Sequence, residues 1–194
     1  MMVADASVWI NLAATGEANR ILQALPRPLA ITDVALGELE RGRPKGRRAA
    51  DEVAALLHMG LMHIVPLATE DEPLFLSLVA GPASETLDDG EAATLACAAR
   101  LGAGAVIDER KATSLAARRL ADMAVCCTCD LLLGPDVRRA LSSAELANAV
   151  FAALTDARMR VPDGHAVAVV DLVGDRAASC LSIPSRFRIP GAAT

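Results

Sequence analysis

The sequence predicts a three-layer α/β/α sandwich on a central, mostly parallel sheet of about five strands. Three observations carry that prediction. Five short apolar runs recur: one ending at Asp5, then Leu29–Ile31, Met62–Val65, Ala105–Ile107 and Ala124–Cys127. Between them lie helical patterns of about ten residues, and such alternation implies right-handed βαβ crossovers. No run is followed by G-x-G-x-x-G or G-x-x-x-x-G-K, so dinucleotide and P-loop chemistry are disfavoured.

The elements follow in order. The first strand ends at Asp5, and Ser7, Trp9 and Leu12 lead into a helix that breaks at Gly16. Glu17 to Leu25 has Ile21, Leu22 and Leu25 on one helical face, closed by Pro26 and Pro28. After the second strand Thr32 is a fitting N-cap for a helix through Val34, Leu36 and Leu39. Ala49 to Met59 forms the next helix, the third strand stops at Pro66, and Thr69 to Val79 is helical. Asp89 to Leu101 carries Ala92, Leu95, Ala96 and Ala99 at the spacing of an amphipathic helix, ended by Gly102 and Gly104. The fourth strand bears Asp108 at its carboxyl end, and Glu109 to Leu120 is helical. After the fifth strand come a helix or turn at Leu131–Leu133 and a helix Ala144–Ala157 capped by Ser142 or Ser143. His165 to Val173 alternates weakly, as an edge strand does, and Pro184 to Thr194 reads as a loose tail. The expected organisation is one domain over residues 1–160 and a C-terminal extension over 161–194 of unassigned role.

Composition narrows the function. Of 194 residues 53% are apolar but only 2% aromatic, so core volume comes from Leu, Val, Ile and Ala. With a net charge of -5 and no tyrosine, the chain has neither a global basic field nor stacking platforms for bases. Five cysteines in irregular positions, with no ligand spacing to His58, His63 or His165, read as buried thiols in a reducing cytoplasm. No apolar run reaches the roughly 20 residues that span a bilayer, and the first residues are unlike a signal peptide. The expectation is a cytoplasmic protein with no membrane partner.

Four carboxylates stand out: Asp5 and Asp108 at strand ends, Glu38 and Glu91 near helix beginnings. Each has a structural alternative. Asp5 and Asp108 could cap the following helices, Asp88-x-x-Glu91 resembles a capping box, and Glu38 could pair with Arg41. Together they point elsewhere. Strand-end acids converge when their strands are neighbours, and clustered carboxylates repel unless a hard cation such as Mg²⁺ or Mn²⁺ relieves them. Such ions can activate water and steady the leaving oxygen of a phosphodiester.

Four stretches then resemble one family. Val3-Ala4-Asp5-Ala6-Ser7-Val8-Trp9-Ile10-Asn11-Leu12 is similar to the opening strand, acid and serine of PIN-domain nucleases in the VapC-type toxin branch. Ile31 to Leu39 resembles their second element with its helical glutamate, Leu87 to Ala92 their L-x-x-G-E-A helix, and Val106 to Ala112 their strand with the fourth acid. The resemblance implies that Asp5, Glu38, Glu91 and Asp108 bind Mg²⁺ or Mn²⁺ and carry catalysis, with Ser7 orienting a carboxylate or water. Asp89 and Glu109 are the neighbouring substitutes. It also implies an endoribonuclease acting on RNA, a homodimer, and an antitoxin protein partner. The basic run RGRPKGRR makes Arg43, Arg47 and Arg48 candidate contacts to the RNA backbone. Thr113 and the Cys127-Thr128-Cys129-Asp130 turn depart from the family pattern. The alternative is a non-catalytic PIN-like interaction module that keeps the acidic site. A receiver-like phosphoacceptor lacks its lysine, since the only lysines are Lys45 and Lys111.

Overall fold

A computed structural model describes residues 1–42 and 49–188 and divides the chain into two compact units, Met1–Ile10 with Pro26–Cys127, and Asn11–Leu25 with Thr128–Thr194. The basic residues Arg43, Arg47 and Arg48 lie outside the described residues.

The first unit holds a five-stranded, all-parallel sheet in the order β3-β2-β1-β4-β5. Its strands are β1 (Met2–Ala4), β2 (Leu29–Thr32), β3 (Met62–Val65), β4 (Gly104–Val106) and β5 (Val125–Cys126). All five expected strands are present, and β2 and β4 are buried throughout. The chain steps outward from β1 to β2 and β3, then returns past β1 to β4 and β5. Right-handed crossovers travelling in opposite directions deliver helices to opposite faces. The result is the expected three-layer α/β/α fold.

Helix α1 (Ala6–Ala14) follows β1 directly, and the buried Trp9 donates its indole N–H to the Ala4 carbonyl at 3.2 Å, fixing the turn at Asp5. Thr32 caps α3 (Asp33–Gly42), accepting the Ala35 N–H at 3.1 Å. Beyond α4 (Ala49–His58) and β3, the expected helix over 69–79 divides into a 3-10 turn at Thr69–Asp71 and α5 (Glu72–Val79). Helix α6 (Asp89–Arg100) packs against β1, β2, β4, α3 and α5. It is buried from Ala92 through Ala98, not along one stripe as expected, because its small side chains admit neighbours on every side. Leu95, Ala92 and Ala98 join Val3, Ala105, Ile107 and Leu115 of α7 (Arg110–Arg119) in the main core cluster.

The second unit contains α2 (Ala18–Ala24), α8 (Thr128–Leu132), α9 (Pro135–Ala140), α10 (Ser143–Asp156) and α11 (Asp163–Val173). Ser142 caps α10 in a reciprocal box with Glu145. The expected edge strand at His165–Val173 is instead helix α11. Its valines and alanines are apolar at both odd and even positions, so weak alternation carried little information. Ala166, Val169 and Val173 are the buried positions, at helical spacing against α10. The segment read as a loose tail holds a 3-10 turn at Ser185–Phe187, and residues 189–194 lie outside the description. Cys97, Cys127, Cys129 and Cys180 are buried. Among the described residues no helix is long and apolar enough to cross a membrane.

Candidate metal centre

The order in which the chain adds strands reverses between β1 and β4, and open parallel sheets bind ligands beyond the carboxyl ends of their strands at such a point. Asp5 and Asp108 sit there. Residues Ala4 and Val106 are paired in the register, and the Asp5 N–H donates to the Val106 carbonyl at 3.1 Å. Asp108 therefore falls one residue further along the neighbouring strand's path. Both acids are 5% exposed, which is unusual for carboxylates.

The two oxygens of Asp5 have different lives. Oδ2 accepts the Ser7 hydroxyl at 2.9 Å and the Ser7 backbone N–H at 3.2 Å, so Ser7 holds the carboxylate as expected. That contact also caps α1, and the capping alternative is correct for this one oxygen. Oδ1 is buried and accepts no hydrogen bond. A buried acceptor without a partner costs about 1–3 kcal/mol. Capping leaves that cost unexplained; a cation ligand would account for it. Burial raises the Asp5 pKa, against the hydrogen bonds of Ser7 and the Ala6 backbone N–H that lower it and with the Asp88 charge adding to the rise.

Asp108 is not the cap of α7. Glu109 has that duty, accepting the Lys111 N–H, which assigns the neighbouring substitute a structural role and leaves Asp108 to the strand end.

Glu91 is the third residue of α6 and forms the expected capping box with Asp88, its Oε2 accepting the Asp88 N–H at 3.4 Å. Burial together with the charges of Asp5, Asp88 and Glu109 pushes its pKa up to about 7. Glu38 projects from α3 and is half-buried. Burial and the Asp5 charge raise its pKa, while the Gly90 N–H and Arg41 work against them. Its Oε1 accepts the Gly90 N–H at 3.0 Å, at the amino end of α6. The charges of Asp5 and Asp88 thus act on both Glu38 and Glu91, and that of Asp88 on Asp5 as well. Sequence reasoning saw Asp88 only as a helix cap; its signal was a third acid within four residues, at 88, 89 and 91.

Among the described residues, no three of Asp5, Glu38, Glu91 and Asp108 bring carboxylate oxygens within 4.8 Å of one another. The donor set is hard oxygen throughout and suits Mg²⁺ or Mn²⁺. The orphaned Asp5 oxygen and the mutually raised carboxylates fit such an ion.

A family model described as a PIN domain matches residues 1–175. No curated protein and no solved structure gives a significant match. The matched span covers the whole sheet, the switch point and every acid described above. This chain belongs to the PIN-domain family.

Proposed function

We propose that the chain is a metal-dependent endoribonuclease that hydrolyses RNA phosphodiester bonds, working as a homodimer and as the toxin half of a toxin–antitoxin pair. One observation carries the reading: the buried, partnerless Oδ1 of Asp5 at the β1/β4 switch point, faced by carboxylates whose pKa values are raised. PIN domains are generally metal-dependent nucleases, and the four motif stretches resembling the VapC-type branch supply the narrower expectation.

Asp5, Glu38, Glu91 and Asp108 would hold Mg²⁺ or Mn²⁺, which when bound supplies charge neutralisation for the phosphodiester and acidifies water. Ser7 holds Asp5 Oδ2 and leaves Oδ1 to an ion. Gly90 fixes one Glu38 oxygen. Without an ion Glu91 has a pKa of about 7, so binding a cation near neutral pH would displace its proton. Carboxylates gathered in this way would also suit a basic segment of an antitoxin, inserted where substrate would lie.

The test is cleavage of a mixed RNA pool by purified protein in Mg²⁺ or Mn²⁺, beside EDTA and Asp5→Asn controls. Cleavage that needs the ion and is abolished by Asp5→Asn is expected. Tight ion binding without cleavage of any RNA would replace the nuclease with the non-catalytic interaction module. Inhibition by a co-expressed small DNA-binding protein encoded beside the gene tests the toxin assignment.

A further inference from the structure

We infer that Gly90 is a positioning residue for Glu38, required because only a residue without Cβ leaves room for that carboxylate at the start of α6. The inference rests on the metal-site reading above and extends it to a residue that donates no ligand.

A Cβ built on Gly90 would lie 2.6 Å from Glu38 Oε2, 2.7 Å from Oε1 and 2.8 Å from the carboxyl carbon. Real Cβ atoms do not approach so closely, so one partner would have to move. The backbone of α6 is held on several sides, by β1, β2, β4, α3 and α5, and residues Ala92 to Ala98 are fully packed. Glu38 is therefore the group that moves. Its carboxylate would leave the Gly90 N–H, to which it is bonded at 3.0 Å, and the amino end of a helix, where negative charge is favoured.

Nothing else calls for glycine here. Gly90 is not among the glycines with positive φ, so alanine can adopt its backbone angles. Alanine is also the better helix former, which makes glycine at this position a local loss. The approach of Glu38 explains the loss. The pairing commits Oε1 to the Gly90 N–H. It also ties α3 to α6, the two helices that bring the glutamates to the switch point.

The test is a double-mutant cycle on the full chain, with Gly90→Ala made in the native background and in Glu38→Ala. Two quantities are read: Mn²⁺ affinity, with the ion alone as probe, and the melting temperature in EDTA. With Glu38 present, Gly90→Ala should weaken Mn²⁺ about tenfold or more, the usual cost of a lost supporting contact, and lower the melting temperature. In the Glu38→Ala background, the same change should leave Mn²⁺ affinity unaltered and raise the melting temperature, since the clash is gone and the helix former remains. That reversal of sign is the signature. If Gly90→Ala does not fold alone while Glu38→Ala/Gly90→Ala does, the clash is equally established. The same effect in both backgrounds, or none in either, overturns the inference. Should the wild type cleave no RNA, the nuclease reading fails while the sign reversal still decides the role of Gly90.

Discussion

At the scale of single residues, the site depends on one serine holding one carboxylate. Ser7 gives Asp5 Oδ2 two hydrogen bonds, one of them from the hydroxyl, and so commits that oxygen and presents the other. Ser7→Ala keeps the backbone donor and loses the hydroxyl, a charge-assisted bond worth about 1.5–3 kcal/mol. If most of that goes into orientation, the proposed RNA cleavage should slow by about tenfold to hundredfold, at about 1.4 kcal/mol per factor of ten. Far-UV circular dichroism should be unchanged. A full-rate Ser7→Ala enzyme would show that the helix turn alone orients Asp5. Glu38 is the sixth residue of α3, not near its beginning as expected; Asp5, Asp108 and Glu91 were legible in the sequence because strand-end and helix-start positions follow from hydrophobic periodicity. Asp88 and Gly90 were not, since their roles arise from what approaches them across space.

At the scale of elements, α6 is anchored as well as buried. Asp71, at the end of the 3-10 turn before α5, is 1% exposed and accepts Arg100 Nε at 2.8 Å, at the far end of α6. It also accepts the Ala68 N–H at 2.8 Å, and Arg100 reaches the Pro66 carbonyl. Burial pushes the Asp71 pKa up, but the Arg100 and Ala68 hydrogen bonds outweigh it and hold the carboxyl below its usual range. The stability it contributes is present above the unfolded-state value and is lost as pH falls through the folded one. Removing one partner strands the other. Arg100→Ala should therefore lower the urea midpoint at neutral pH, and lower it less in strong acid, where Asp71 is protonated in either variant. No loss at neutral pH would mean that water replaces the guanidinium without penalty. Asp71 and Arg100 are 29 residues apart and follow no periodicity, so no sequence pattern joined them.

At the scale of the whole molecule, the carboxylate cluster sets how stability responds to pH. Glu91 titrates near 4.5 when unfolded and at about 7 when folded, so between those values the folded protein binds more protons. Stability must then fall as pH rises across that window and remain low above it. Asp5 and Glu38, both raised, act in the same direction. In EDTA the melting temperature should decline from about pH 5 to about pH 7, and Glu91→Gln should flatten that decline. Saturating Mn²⁺ should reverse it, because a ligand that needs ionised carboxylates binds better as pH rises. A melting temperature indifferent to pH in EDTA would mean that the carboxylates are solvated and independent.

The sequence by itself determined the layer architecture, all five strands, the strand-end places of Asp5 and Asp108 and the helix-start place of Glu91. Each depends on local periodicity and on turn residues beside it, which is information the chain carries at short range. It also misled at short range: in His165 to Val173 alanine and valine suit strand and helix alike, and packing against α10 made the segment helical. Only the tertiary structure decided the strand order, and with it that β1 and β4 are neighbours and that Asp5 and Asp108 share one end of the sheet. Only it decided which of two adjacent acids caps α7, which Asp5 oxygen is left without a partner, and why α6 tolerates a glycine. Those outcomes turn on distances between residues far apart in the chain, and such distances exist once the core has closed around them.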